Sequence, residues 1–268
     1  MLRLSAIYRY PLKSGMGERL ARSELDALGL LGDRRWMLID ADSGRFLSQR
    51  LLPQMALLQA RWVDADCLQL DAPGMPPQRV WLPDADTALR DTQLWGSELN
   101  VPDAGDAAAA WLEQWLGRRC RLLYQPSARA RQVDPRYAVS GERTAFTDGY
   151  PLLLIGQNSL EELSAQVGRP LEMLRFRPNL VVEGAAPYAE DGWKRIRIGA
   201  VELRLVKPCS RCIITTIDPQ NGQRDADREP LETLKRHRLR DGEVYFGQNL
   251  LHPGHGVLEE GAPVEILE

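Results

Sequence analysis

A surplus of basic charge is missing from this chain. Its 268 residues carry 34 lysines and arginines against 37 acidic residues, a formal net charge of −3. Wholesale nucleic-acid binding needs a basic face or stripe, so no nucleic-acid partner is expected. Long apolar runs are missing too. Stretches such as residues 150–155 fall far short of the roughly 20 residues that cross a bilayer, and no membrane span is expected. The N-terminus, MLRLSAIYRYPLKS, alternates polar with apolar residues and lacks a small-residue cleavage site. A soluble, cytoplasmic protein is the expectation. Cysteine is scarce: Cys67, Cys120, Cys209 and Cys212 are too few for a disulfide scaffold at this length. A chain of this size buries a sizeable core without such staples. Lysine is scarce as well, with only Lys13, Lys194, Lys207 and Lys235. Arginine-favouring codon usage explains most of that, yet each lysine becomes slightly more informative.

What is present reads as mainly β. Leu2, Leu4, Ala6 and Tyr8 alternate with Arg3, Ser5 and Arg9, an opening strand. Residues 36–39 and 45–48 flank Ala41-Asp42-Ser43-Gly44, a hairpin signal. Further short runs follow at 57–63, 67–70 and 79–82, a spacing that suggests a small barrel or sandwich. Residues 107–117 break the pattern as an amphipathic helix, with Asp106 as N-cap and Gly117 as stop. Residues 126–147, polar and arginine-rich, read as a long loop between two halves, folded over the active face. Beyond it, Ser159 and Glu162 fit a capping box, and Gly199-Ala200 a hairpin turn. Pro230 opens a last helix, and Val264 and Ile266 mark a closing strand. The class is α+β, mainly β: two packed barrel-like units, 1–120 and 121–268, with a few flanking helices.

The densest chemistry is Lys207-Pro208-Cys209-Ser210-Arg211-Cys212, directly after a strand. A C-x-x-C pair has three ordinary explanations. Half a zinc site needs two more ligands, which only His252 and His255 offer, at an unusual spacing. A dithiol redox pair wants a helix just after it, whereas residues 213–217, Ile-Ile-Thr-Thr-Ile, are β-branched and read as a strand. Two small buried core residues are the bland third choice. Lys207 and Arg211 flank the sulfurs, and nearby cations favour a thiolate, a soft ligand suited to a redox-active metal. One thiolate cannot hold such a metal alone, so solvent or a metal-bearing organic cofactor has to complete the shell.

In this setting KPCSRCIITTIDPQNG, REPLETLKRHR and YFGQN resemble the MOSC domain, the module named after the C-terminus of molybdenum-cofactor sulfurases. YPLKS at 10–14 and GDRRW at 32–36 resemble its N-terminal MOSC β-barrel partner, and FTDGYPLLLI, FRPN and YAEDGW continue the likeness in order. The whole set is similar to the mitochondrial amidoxime-reducing component and its bacterial relatives, a group of pterin-molybdenum reductases.

The resemblance implies a molybdenum cofactor, Mo-molybdopterin, with Cys212 as metal ligand and catalytic centre. It implies cofactor contacts from Lys13, Ser14, Arg34, Asp148, Arg177 and Asn179, with Ser210 and Arg211 beside the ligand. Arginine forks, a lysine and a hydroxyl suit the terminal phosphate, and Asn179 and Asp148 suit the pterin edge. The implied reaction is two-electron reduction of N-hydroxylated compounds, amidoximes and hydroxylamines, fed by a separate ferredoxin-, flavin- or haem-type electron donor. The alternative is a sulfur carrier or cofactor-delivery protein using a Cys212 persulfide. Arg129, Arg131 and Arg143 read as surface or lid charges. Trp95, Trp111 and Trp115 read as core or domain-contact residues, and His252 and His255 as an exposed turn.

Overall fold

The structure is a computed structural model describing residues 1–268. Its largest sheet has nine strands. Eight follow one path: Glu18–Leu20, Arg3–Arg9, Leu180–Glu183, Leu152–Gly156, Glu243–Leu251, Val201–Ser210, Arg195–Ile198 and Val264–Ile266. The Leu4 amide donates to the Ala262 carbonyl at 2.9 Å and the Val264 amide to Leu2 at 3.1 Å, so the path curls into a closed barrel. Inside pack Leu4, Ile7, Leu154, Leu180, Ile196, Leu203 and Leu250. Outside, α2 (Gln157–Val167) and α3 (Leu231–Arg238) lay Leu160, Leu163, Leu231 and Leu234 against Ala6, Ile155 and Phe246.

The other half builds a second core around Trp36, Leu38, Leu68 and Leu122. It comprises a meander of Gln59–Asp64, Cys67–Asp71 and Gln78–Trp81, and a hairpin of Leu89–Leu94 with Ser97–Pro102. The pair Trp36–Asp40 and Cys120–Tyr124 completes it, and α1 (Asp106–Leu116) buries Ala108, Trp111 and Leu112 on its face. The mainly-β, α+β class expected from the sequence is the one observed. Pairing also runs across residue 120: Arg3–Arg9 and Arg22–Asp26 join strands beyond residue 179, while Cys120–Tyr124 joins Trp36–Asp40.

Several local expectations need correction. The first strand does not alternate throughout, because a bulge between Leu4 and Ala6 turns Leu4 and Ile7 inward and leaves Ala6 and Tyr8 under the helices. The helix after Gly105 starts at Asp106, whose carboxylate pairs with Arg121 at 2.7 Å instead of capping. Ser159 forms no capping box. Its hydroxyl donates to Glu190 Oε2 at 2.8 Å, while Glu190 Oε1 accepts the Gly156 amide, so a carboxylate from a distant turn takes over the start of α2. Residues 213–216 are a 3₁₀ turn, not a strand. Thr215 and Thr216 hydroxyls donate back to the carbonyls of Cys212 and Ile213, a local bond that overrides β propensity. The 126–147 segment is anchored, with Val133, Ala145 and Phe146 buried.

Candidate functional site

The two halves meet along a cleft whose first wall is built from residues 10–14 and 32–36. The Lys13 amide donates to Trp36 O at 2.8 Å, Trp36 N–H to Pro11 O at 3.0 Å, and Arg34 N–H to Tyr10 O at 2.7 Å. Asp33 Oδ1 accepts the Tyr10 amide at 2.7 Å. This lacing forces Ser14 to φ +63° and Arg34 to +46°, and Arg177 opposite sits at +55°. Side chains with a Cβ adopt this left-handed region at a cost of order 1–3 kcal/mol, and such residues concentrate at functional sites.

The Tyr10 ring lies between two guanidinium groups, with Arg34 Cζ at 4.2 Å and Arg177 Cζ at 4.3 Å from its centre. Gly17 leaves room for that ring: a Cβ there would stand 2.4 Å from the Tyr10 side chain. Arg34 is partly neutralised by Asp33 at 2.6 Å and donates to Arg177 O at 3.0 Å. Arg177 donates to Gly15 O at 2.5 Å, and its Nη2 is buried with no partner. Burial, with Arg34 repelling it, pulls the Arg177 guanidinium down to about 10.

Lys13 is buried, and its ammonium donates to Phe146 O at 2.9 Å and Asp148 Oδ1 at 2.6 Å. Burial pushes the Lys13 ammonium below its ordinary value, with Asp148 pulling the other way. Although its surroundings desolvate it, the Asp148 carboxyl is held well below the usual carboxylate range by Lys13 and Arg50. The Ser14 carbonyl accepts from Gln49 at 2.9 Å. Asn179 stitches two strands, its amide nitrogen donating to Tyr8 O and its oxygen accepting from Leu153 N, each at 3.2 Å.

The second wall carries the thiols. Two bulges at the end of Val201–Ser210, around Pro208, which has no amide to give the ladder, break the strand register just before the cysteines. Arg211 Nη1 donates to Cys209 Sγ at 3.0 Å and Arg50 Nη2 to Cys212 Sγ at 3.4 Å. Lys207, expected beside the sulfurs, instead sits over the Tyr137 ring at 5.4 Å.

All nine candidates, Lys13, Ser14, Arg34, Asp148, Arg177, Asn179, Ser210, Arg211 and Cys212, line this one cleft. It holds about 840 Å³ of empty space, open on one side, a size that admits an organic cofactor. Sequence reasoning missed three neighbours. Arg50 reaches Cys212, Arg131 donates to Thr147 O at 2.7 Å and so holds the Asp148 loop, and Trp95 Nε1 donates to Asp148 Oδ1 at 3.2 Å. None sits in a recognisable motif. Trp95 is 45% exposed, so it is not core, whereas Trp111 is buried as expected. The pair Cys209 and Cys212 does not combine with His252 and His255 into a zinc site, since nowhere are three or more His, Cys, Asp or Glu side chains grouped for a metal. His252 Nδ1 accepts the Gly254 amide at 3.0 Å within its own turn.

The electrostatics of the cleft are unbalanced. Arg50, Arg131, Arg177 and Arg211 form no ion pair within the protein, and Arg131 Nε, Arg177 Nη2 and Arg211 Nε are buried without partners. Arg131 lies behind the cleft lining, whereas Arg177 and Arg211 are part of it; buried donors are nearly always satisfied, so these two are free to meet an anion.

Comparison with known proteins follows the same line. Residues 1–119 match the model of the MOSC N-terminal beta barrel domain and residues 141–265 that of the MOSC domain. Mitochondrial amidoxime-reducing component 1 of Mus musculus is 34% identical over 281 residues, 98% of this chain and 82% of that protein. Mitochondrial amidoxime reducing component 2 of Bos taurus is 35% identical over 254 residues, 89% and 73% of the two chains. Mitochondrial amidoxime-reducing component 1 of Homo sapiens is 32% identical over 282 residues, 98% and 82%. Among solved structures, the YUAD protein from Bacillus subtilis aligns over 98% of this chain and 94% of its own, with 12% identity and a TM-score of 0.46.

Proposed function

Since this chain belongs to the MOSC family, alongside the amidoxime-reducing components, we propose that it reduces N-hydroxylated compounds at a molybdenum cofactor held by Cys212. Binding of the molybdenum cofactor itself follows from the MOSC domain and from these relatives. The residues present fit that group. The orphaned donors of Arg177 and Arg211, together with Arg50, match its phosphate and overall negative charge. Lys13 and Ser14 add a point charge and a hydroxyl, Arg34 completes the cationic layer, and the Cys212 thiol is a soft ligand facing the cleft. When bound, the cofactor supplies a metal that cycles through two electrons, chemistry no side chain here has.

The observation that carries the reading is the convergence of three guanidinium groups without ion pairs, those of Arg50, Arg177 and Arg211, and a thiol in one cleft. In the proposed reaction an amidoxime takes up two electrons and two protons and leaves as an amidine and water. The chain's own part is to bind, orient and protonate. Lys13 Nζ holds a proton 2.6 Å from Asp148 Oδ1, so an ammonium and a carboxylate stand together beside the reacting centre. A separate electron-donor protein of ferredoxin, flavin or haem type belongs to the proposal. So does a cytoplasmic setting, which cell fractionation tests; the relatives' names say mitochondrial of those proteins. No helix is long and apolar enough to cross a membrane.

Metal and pterin analysis of protein made in a cofactor-competent host, followed by amidoxime turnover with an artificial reductant, tests the proposal. One molybdenum per chain, a fluorescent oxidised pterin and amidine formation are expected. Absence of both metal and pterin overturns it, and cofactor without turnover redirects it to a delivery role with Cys212 as a persulfide carrier.

A further inference from the structure

The rim of the cleft carries a side chain that neither the motifs nor cofactor binding explains. Trp95 and Gly96 are the two central residues of the hairpin joining Leu89–Leu94 to Ser97–Pro102, at φ +52° and +85°. Such a turn takes Asn or Gly at its first position, and a bulky indole there is an outlier. The indole is nevertheless 45% exposed instead of buried. Its contacts with charged side chains lead into the cleft: Nε1 donates to Asp148, Arg50 Cζ lies 4.8 Å from the ring centre and Lys13 Nζ 5.8 Å. Phe46, 5.2 Å away and tilted, props the ring. Arg50 in turn reaches Cys212 Sγ at 3.4 Å, so a single guanidinium bridges the indole and the sulfur.

We propose that Trp95 is the specificity-determining residue of this site, an apolar platform that takes the flat conjugated part of an aromatic N-hydroxylated substrate while its N–O group reaches the centre at Cys212. An exposed tryptophan face contributes contact area at little cost in side-chain entropy, and aromatic pairs prefer offset or edge-on packing against such a surface. Arg50 and Asp148 position the indole, and aliphatic substrates of the same reactive group lose the platform. The inference rests on the reductase reading above.

The test compares benzamidoxime with acetamidoxime in the cofactor-loaded protein, wild type against Trp95→Asn and Trp95→Phe. Asparagine suits the left-handed turn position and keeps the hairpin folded. In Trp95→Asn the KM for benzamidoxime is expected to rise about tenfold with kcat little altered, the acetamidoxime KM to move less than threefold, and Trp95→Phe to restore most of the difference. A parallel binding arm, saturation-transfer NMR with benzamidine and acetamidine, is expected to show ring contact with the wild type and with Trp95→Phe but not with Trp95→Asn. Equal KM shifts for both substrates, no shift for either, or ring contact that survives in Trp95→Asn overturns the inference. A wild type that reduces neither substrate overturns the reductase reading instead, and the binding arm still decides the role of Trp95.

Discussion

The two walls of the cleft are made differently. The wall from residues 10–14 and 32–36 is buried, laced by main-chain bonds and held in left-handed conformations at Ser14 and Arg34. The wall from residues 208–217 is a bulged strand end and one 3₁₀ turn, and its Cys209, Ser210, Arg211 and Cys212 are at least partly exposed. Charge is fixed in place on the first wall, where long-range anchoring needs no rearrangement when an anion arrives. The second wall leaves its sulfurs reachable. A rigid anion cradle facing an accessible thiol divides the labour between holding a cofactor and letting a substrate approach it.

Substitutions at the thiols of the second wall are expected to strike chemistry, and those of the two arginines that flank Tyr10 occupancy. The largest effect belongs to Cys212→Ala, which is expected to fold normally yet lose amidoxime turnover by more than a hundredfold, while Cys209→Ala keeps a measurable fraction; thermal melts and turnover assays on both variants check this. Equal activity in Cys212→Ala and wild type removes the ligand assignment. Next come Arg177→Ala and Arg34→Ala. Each deletes a charge-assisted contact worth about 1.5–3 kcal/mol, so molybdenum content after dialysis should fall with kcat per bound metal preserved.

Gly17→Ala links the fold to that wall. Its new methyl collides with Tyr10, the ring between the two arginines, and overpacking of this kind costs about 1–3 kcal/mol. A lowered melting temperature together with reduced cofactor content is the expected pair of readings.

The smallest effect concerns Asp103, which clamps the hairpin bearing Trp95 by accepting from Arg121, Arg90 and the Gly105 amide. Burial alone would raise its carboxyl, but these three donors outweigh burial and hold it below the ordinary value. A depressed carboxylate contributes stability above its unfolded pKa and loses it as pH falls through the folded one. Asp103→Asn should therefore cost about 1–2 kcal/mol at pH 7, with the gap from wild type closing below about pH 4. Denaturant titrations at pH 7 and pH 3 measure it, and a gap independent of pH would show that the clamp is not ionic.

The class of fold was legible in the spacing of short strands, and the nine residues that line the cleft only through the resemblance of their motifs to a known family. Arg50, Arg131 and Trp95 were not legible. Each stands alone in its segment and reaches the cleft only through the packing of one half on the other, which no local pattern encodes. Residues 213–217 misled for a different reason, since β-branched side chains favour a strand until threonine hydroxyls find carbonyls three residues back. The bulge between Leu4 and Ala6 hid in the same way, because strict alternation in a sequence does not reveal where a ladder slips by one residue.

The closure of the barrel by Leu2 and Leu4 against residues 261–264 also fixes when the molecule can assemble. Its opening strand finds a nearby partner in residues 18–20, but its other edge pairs with residues 180–183 and its Leu2–Leu4 end with residues 261–264. Until residues 261–264 follow, the Leu2–Leu4 end of that strand has an unsatisfied side, so closure of the barrel waits on partners more than 250 residues further along. High sequence separation of this kind slows folding, and a nascent chain held that long with an open edge is a natural client for a chaperone.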